Sequence, residues 1–179
     1  MTNELASSVG LAVPCNGDDV FVLPRLIKSL EGEVLPINTL SVSVSGCNSP
    51  PTIESSSFKV IVNHVRGERS ASENRNVAAD CLDDDILSFM DSDDLVSPYR
   101  TQALRVAFAL GAKAVVHNYM QTANPQFTKF VPFQIESICI GMVDCLPEGA
   151  IFPISATQHF DYHCAHVSLP LANFKNLRY

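Results

Sequence analysis

Three aspartates stand close together directly after an apolar run in the middle of the chain. Residues 86–90 are apolar apart from one serine, and Asp91, Asp93 and Asp94 follow them. Like charges at this spacing repel one another, and no Lys or Arg occurs between residues 80 and 94 to neutralise them. Mg²⁺ and Mn²⁺ take oxygen ligands, and Mg²⁺ is commonly held by one or two carboxylates together with substrate phosphates. The pattern therefore predicts a divalent metal site.

A solvated acidic turn, with Asp94 as the cap of the next helix, is the alternative interpretation of the same residues. Metal binding is favoured because the aspartates follow a segment that has the composition of a buried strand. In open α/β sheets, ligands bind beyond the carboxyl ends of the strands, where loops and helix N-termini converge. A strand that ends in carboxylates would therefore present them at a ligand-binding edge.

The charge and composition exclude several classes of protein. Seven aspartates lie between residues 80 and 94, and the rest of the chain has 12 acidic against 12 basic residues. The net charge of −7 argues against a nonspecific nucleic-acid binder. No stretch reaches the ~18 to 20 uncharged apolar residues of a membrane helix, and Glu4 stands where a secretory signal would carry a basic residue. We therefore expect a cytoplasmic protein without a transmembrane segment, whose six cysteines are reduced.

Strand-like and helix-like segments alternate along the chain up to residue 119. Apolar runs predict strands at residues 8–13, 40–44, 58–62, 86–90 and 112–119, and helical spacing predicts helices at 20–30, 72–82 and 98–110. Asp18 or Asp19 is the expected cap of the first helix, with Pro24 in its first turn. This alternation predicts an α/β fold with a mainly parallel sheet in one domain. The four prolines in residues 120–158 predict loops and antiparallel edge strands there.

The residues around the aspartates resemble a known family. Phe89-Met90-Asp91-Ser92-Asp93-Asp94, followed by Pro98, resembles the Asp-Xaa-Asp signature of GT-A fold glycosyltransferases of the family 2 type. Arg75-Asn76, which lies 15 residues before Asp91, resembles the Arg-Asn element of that family, and Ala78-Ala79 fits the small residues that follow it.

Segments at both ends of the chain extend this resemblance. Residues 12–16 and 23–30 resemble the first strand, the nucleotide loop and the first helix of the family. Residues 163–168 resemble a segment near the acceptor side. The resemblance implies a GT-A (Rossmann-like) α/β/α sandwich with a central, mainly parallel mixed sheet. Residues 1–119 would be the nucleotide-sugar and metal-binding part of a single domain, and residues 120–179 its acceptor-side part.

The resemblance also implies a donor site for a nucleotide-diphosphate sugar (a UDP- or GDP-sugar) and a carbohydrate or other hydroxyl acceptor. The residues it places along the donor are Pro14, Cys15, Asn16, Ser45, Arg75, Asn76, Asp91 and Ser92. It assigns Mn²⁺ or Mg²⁺ to Asp91, Asp93 and Asp94, with Asp93 as a direct ligand. For Arg75 a surface ion pair with the aspartates is the alternative, and for Asn16 an ordinary turn position.

Two features depart from the family's pattern. Ser45-Gly46 stands where members usually carry an aspartate that contacts the base, so base recognition would be altered. The carboxylate general base of inverting members lies beyond the point that matches Tyr179. Three interpretations stay open: the chain is the front part of a longer protein, the base is Asp144, Glu148 or Asp161, or catalysis is lost. Among the three candidate bases, Asp161 is preferred because it lies in a His-rich segment.

The main hypothesis is a metal-dependent glycosyltransferase that acts by direct displacement with inversion. The alternative is a non-catalytic nucleotide-sugar binding module or the donor-binding part of a larger enzyme. A phosphatase with Asp91 as nucleophile is disfavoured, because that motif normally follows the first strand of its fold. Residues 159–166 also suggest zinc, through His159, His163, Cys164 and His166, but a packed or acceptor-facing strand is preferred there.

Overall fold

The computed structural model describes residues 7–112, 115–116 and 167–170. The strands in these ranges are β1 (Val9–Asn16), β2 (Thr39–Ser45), β3 (Lys59–Val65), β4 (Ile86–Phe89), β5 (Val115–Val116) and β6 (Val167–Pro170). The helices are α1 (Leu23–Glu31), α2 (Ala71–Asp80) and α3 (Arg100–Ala109), and a short 3-10 helix spans Gly17–Val22.

The strands form one sheet in the order β3-β2-β1-β4-β6-β5. The first four strands in this order are parallel, and β6 runs antiparallel to both β4 and β5. The chain moves outward from β1 through β2 to β3 and then returns to the other side of β1 as β4. The sheet therefore has its topological switch point between β1 and β4, where the loops that follow the two strands diverge. The predicted α/β fold with a central, mainly parallel mixed sheet is confirmed.

Helices cover both faces of the sheet, which explains the continuous apolar runs in the central strands. Leu11 and Val13 of β1 belong to a cluster with residues of α1 and α3, such as Leu26 and Leu104. Ala12, on the opposite face of β1, packs in a second cluster with residues of α2. The members of α2 in that second cluster are Ala78 and Ala79, and such small side chains let a helix lie close to the sheet. The result is three layers with β1 at the centre.

The start of the first helix differs from the prediction. Strand β1 continues through Pro14 to Asn16, and Asn16 caps the 3-10 helix by accepting a hydrogen bond from the Asp18 backbone N–H at 3.3 Å. The predicted caps Asp18 and Asp19 were therefore wrong, because the 3-10 helix occupies the turn assigned to the start of α1. Pro24 lies in the first turn of α1 as predicted. The pairing of β1 with β4 ends at Ala12, so Pro14, which has no backbone N–H, removes no hydrogen bond between these two strands.

The acidic window of the sequence is divided by β4. Asp85 lies before the strand, where its carboxylate accepts hydrogen bonds from the backbone N–H and hydroxyl of Ser8. Asp84 lies beside it, close to Gly10 near the start of β1. Asp91 and the two aspartates after it follow the other end of the strand. Because a strand rises about 3.3 Å per residue, only these last three charges of the window 80–94 reach the carboxyl edge.

Several predictions on the second half of the chain concern residues outside the described ranges. They include the acceptor-side part after residue 119 apart from residues 167–170, the candidate bases Asp144, Glu148 and Asp161, and the His-rich residues 159–166. The predicted end of the third helix is confirmed, since Gly111 follows α3 with a φ of +90°. Among the described residues, no helix combines the length and apolarity needed to span a membrane.

Candidate functional site

The carboxyl ends of three neighbouring strands meet at one edge of the sheet. In the parallel register, Asn16 at the end of β1 lies beside Ser45 at the end of β2. Asp91 follows the end of β4, on the other side of β1. Of the predicted donor-site residues, Pro14 and Cys15 are buried in β1 just below this edge, and Asn16 is exposed on it. The fold therefore brings the predicted nucleotide residues and the aspartates to the same edge.

Helix α2 connects the ends of β1 and β2 through one buried side chain, Asn74. Its amide nitrogen donates to the Ser45 hydroxyl at 2.8 Å and to the Cys15 carbonyl at 3.3 Å. Its amide oxygen accepts from the Ser43 hydroxyl at 2.9 Å. The start of α2 is itself fixed by a capping box between Ser70 and Glu73. Asn74 therefore sets the spacing of the two strand ends, a role the sequence analysis missed.

Ser45 is enclosed in this network. Its hydroxyl oxygen accepts from Asn74 and also from the backbone N–H of Arg69 at 3.3 Å, and the residue is only 1% exposed. The exposed position at the end of β2 is Gly46 instead. The contact between Ser45 and a nucleotide stays a prediction, and the exposed backbone at Gly46 is the part of this strand end that a nucleotide could reach.

The loops after β1 and β2 approach each other closely at two glycines. Gly46 has a φ of +78°, and a Cβ there would lie 3.3 Å from the side-chain oxygen of Asn16. A Cβ on Gly17 would lie 2.7 Å from the Gly46 carbonyl oxygen. Glycine is needed at both positions because a side chain would meet the opposite loop. Because neither glycine has a side chain, the exposed side chain of Asn16 lies beside exposed backbone at Gly46.

Arg75 projects from α2 to the first aspartate of the acidic turn. Its Nη2 atom donates to Asp91 Oδ1 at 2.6 Å, and the two side chains are 9% and 33% exposed, respectively. Arg75 therefore forms the ion pair with an aspartate that the alternative interpretation predicted. The pair does not lie on the surface, however, because Arg75 is largely buried. Asn76, its neighbour in the predicted Arg-Asn element, is exposed on α2.

The acidic residues after β4 form a tight turn. The backbone N–H of Asp94 donates to the Asp91 carbonyl at 3.3 Å. Ser92 is buried, and its hydroxyl forms a hydrogen bond with the Cys15 thiol, which joins the turn to the end of β1. Asp93 is exposed. The three carboxylates of the turn therefore have different surroundings, although they are close in sequence.

Burial and charge shift two pKa values at this edge. Burial, followed by the negative charges of Asp91 and Asp93, raises the pKa of Asp94 to about 6. Burial also raises the pKa of the Cys15 thiol to about 11, against the opposing hydrogen bond from Ser92. In the absence of a metal ion, Cys15 is therefore protonated at neutral pH.

The donor set fits Mg²⁺ or Mn²⁺ better than it fits a metal held by protein alone. The described part of the chain contains no group of three or more His, Cys, Asp or Glu side chains placed to hold a metal ion. Asp91 and Asp93 instead offer carboxylate oxygens at a partly open turn, and after burial their negative charges contribute to the raised pKa of Asp94. Such a turn suits a cation that keeps most of its ligands as water and phosphate.

A second arginine, Arg100, lies beneath the turn. It is 4% exposed, and its Nη2 atom donates to the Ser88 hydroxyl at 2.5 Å and to the Phe89 carbonyl at 3.4 Å. The carboxylate of Glu33 accepts from the backbone N–H and hydroxyl of Thr101 at 2.8 and 2.9 Å. Burial lowers the pKa of Arg100 and raises that of Glu33, while each charge partly offsets the effect on the other. No local sequence pattern indicates a role for Arg100 or Glu33.

Comparisons with known proteins identify the fold. No protein-family model matches the sequence, and no curated protein matches it. A mannosyltransferase, PcManGT from Pyrobaculum calidifontis in complex with GDP-Man and Mn²⁺, is 13% identical with a TM-score of 0.50, over 64% of this chain and 36% of that chain. TarS 1-349 from S. aureus, in complex with UDP, is 16% identical with a TM-score of 0.50, over 70% of this chain and 38% of that one.

These likenesses show that the chain has a glycosyltransferase fold. The chain spans less than half the length of either structure, 36% of one and 38% of the other.

Proposed function

We propose that this chain binds the nucleoside diphosphate of a sugar donor at the carboxyl edge of β1, β2 and β4, and transfers the sugar to a hydroxyl acceptor. The observation that carries the proposal is the meeting of Arg75 with Asp91 at this edge, 2.6 Å apart. One positive group and a turn with further carboxylates then lie together beside the end of β1. A diphosphate bridged by a divalent cation has the charge pattern that complements them.

Each residue at the edge has a role in this proposal. Asp91 and Asp93 would hold Mn²⁺ or Mg²⁺, as an Asp-Xaa-Asp motif of the family 2 type. When bound, the cation stabilises the negative charge that develops on the diphosphate as the sugar leaves. Arg75, largely buried behind Asp91, would contribute positive charge toward the phosphates. Asn16 would contact the nucleoside, beside the backbone at Gly46.

Transfer with inversion also needs a carboxylate that removes the proton of the acceptor hydroxyl. Asp161 stays our prediction for this base, with Asp144 and Glu148 as alternatives.

The solved structures support a nucleotide donor. PcManGT was crystallised with GDP-Man and Mn²⁺, and TarS 1-349 with UDP. The second candidate is a non-catalytic nucleotide-sugar binding module or the donor-binding part of a larger enzyme.

Binding can be tested by thermal unfolding of the chain with UDP, GDP, UDP-sugars and GDP-sugars, each with Mn²⁺ or with EDTA. A donor at about 100 times its Kd adds about 2.7 kcal/mol to the stability, which raises Tm by several degrees. We expect this rise with one nucleotide class and Mn²⁺, and not with EDTA. Asp93→Asn should abolish it, whereas Asp83→Asn, an exposed aspartate before β4, should not.

Turnover separates the two candidates. Release of nucleoside diphosphate from the stabilising donor, measured with and without sugar acceptors, would support a transferase. Metal-dependent stabilisation without release would support the donor-binding module. If no nucleotide stabilises the chain in a metal-dependent way, the proposed function is wrong.

A further inference from the structure

The acidic turn rests on a buried guanidinium. Arg100 donates to the hydroxyl of Ser88 and the carbonyl of Phe89, the last two residues of β4. Ser88 is also tied to β6, since its hydroxyl lies 2.8 Å from that of Ser168. The guanidinium therefore holds the strand immediately before the turn begins at Asp91.

The charge of the same guanidinium also acts on the last residue of the turn, Asp94. The positive charge of Arg100 opposes the rise in the pKa of Asp94, and the negative charge of Asp94 favours the charged form of Arg100. Asp94 is partly buried, whereas Asp93 next to it is exposed. Of these two neighbouring carboxylates, Asp93 is therefore the one more open to solvent.

Arg100 is itself held in place from the other side. Glu33 fixes the first turn of α3 through two hydrogen bonds to Thr101, the residue after Arg100. The loop between the turn and α3 is also tied to α1, because the backbone N–H of Val96 donates to the Ser29 hydroxyl at 3.2 Å. These hydrogen bonds fix the first turn of α3, and with it the position of Arg100.

We propose that Arg100 is a positioning residue: by holding the end of β4 it fixes the turn that follows this strand, and so presents Asp91 and Asp93 as the metal ligands. The metal part of this inference rests on the proposed function. Groups that orient metal ligands affect affinity nearly as much as the ligands do.

Arg105 provides a matched control on the same helix. It donates to the carbonyls of Ser7 and Pro36 and to the side chain of Asn38, at 2.9 to 3.2 Å, and to no residue of the turn. Arg100→Lys and Arg105→Lys therefore each replace a forked donor by a single ammonium. Only the first replacement affects the turn.

The first measurement needs no ligand. Amide hydrogen exchange in residues 90–97 should be about 5–10-fold faster in Arg100→Lys than in wild type, as expected for the loss of about one hydrogen bond. Arg105→Lys should leave exchange in these residues unchanged. Equal exchange of the segment in the two variants would overturn the anchoring role.

The second measurement is the Mn²⁺ concentration that gives half-maximal thermal stabilisation in the presence of UDP, with GDP in a parallel series. Arg100→Lys should raise this concentration about 10–100-fold, and Arg105→Lys should not. If Arg100→Lys does not fold, Ser88→Ala decides, because it removes the hydroxyl to which Arg100 donates: the inference requires this variant to raise the Mn²⁺ concentration as well. An unchanged Mn²⁺ concentration in Ser88→Ala would overturn the inference.

The two measurements separate this inference from the proposed function. If wild type does not respond to Mn²⁺ with either nucleotide, the proposed function fails, and the metal part of the inference fails with it. If wild type responds but Arg100→Lys and Arg105→Lys behave alike, the proposed function stands and Arg100 has only a structural role.

Discussion

The guanidinium of Arg75 lies 2.6 Å from the carboxylate of Asp91, across the face of the sheet that α2 covers. The pair joins the helix that precedes β4 to the turn that follows it. Asp91 keeps a third of its side-chain surface open, whereas Arg75 is nearly closed off. A ligand at this edge can therefore reach the carboxylate directly, with a positive charge fixed behind it.

The strength of this pair can be measured by a double-mutant cycle. Arg75→Met should destabilise the protein by about 1–3 kcal/mol, between the values for exposed and fully buried pairs, because a partly buried carboxylate loses its partner. The coupling with Asp91→Asn, from urea unfolding of both single variants and the double variant, should be about 0.5–3 kcal/mol. Arg25→Met, at an exposed position of α1, is the control and should change stability by no more than about 0.5 kcal/mol. Additive single effects would show that the contact contributes nothing.

Asn74 should have a larger effect on stability than its polar side chain suggests. Asn74→Ala removes hydrogen bonds to two serine hydroxyls and to the Cys15 carbonyl, all buried. We expect a loss of about 2–4 kcal/mol, since each unmade buried hydrogen bond costs about 1–3 kcal/mol when its partner stays unsatisfied. Chemical unfolding at an unchanged m-value would measure it. Ser72→Ala, at an exposed position on the same helix, should stay within about 0.5 kcal/mol; a similar small change for Asn74→Ala would contradict the role we assign to it.

The fold and the position of the acidic turn could be predicted because the sequence signals that indicate them are local. A parallel strand covered by helices on both faces is a continuous apolar run, so β1, β2 and β4 can be recognised one at a time. Asp91 follows β4 directly, and the alternation of elements then places it at the carboxyl edge. No long-range contact had to be known for that step.

The residues that hold the site together could not be predicted in this way. Asn74 bonds to Cys15 across 59 positions of sequence, and Glu33 bonds to Thr101 across 68. An isolated Asn or Glu in a helix or loop has no local pattern that indicates such a partner. The adjacency of Asn74 to Arg75 was the one signal available, since α2 places both on its buried face.

Gly46 should not tolerate a side chain. Gly46→Ala should lower the free energy of unfolding by about 1–2 kcal/mol, because the backbone at residue 46 is left-handed. The loss should be larger than this, because the new Cβ would lie 3.3 Å from Asn16 Oδ1. Gly111→Ala should lose only the backbone part, because Gly111 has a positive φ but nothing within 4 Å. Gly67→Ala, without either constraint, should be neutral or gain up to about 1 kcal/mol. Thermal or urea unfolding would rank the three, and any other order would contradict the close approach of the two loops.

Asp94 should make stability depend on pH in the absence of metal. Its pKa is raised to about 6 in the folded protein, first by burial and then by Asp91 and Asp93, against about 3.9 in an unfolded chain. The folded state therefore binds this proton more tightly than the unfolded state does. By linkage, the stabilising contribution is complete below about pH 4 and is lost as pH rises through about 6.

Asp94→Asn removes this titration while keeping the shape of the side chain. In EDTA, the free energy of unfolding of Asp94→Asn minus that of wild type should increase between about pH 4 and pH 6 and level off above that range. Burial also raises the pKa values of Glu33 and Asp84, but both groups are present in the two proteins and cancel in the difference. Urea unfolding at closely spaced pH values would measure it. A difference that stays flat with pH would mean that burial and the neighbouring charges do not raise the pKa of Asp94.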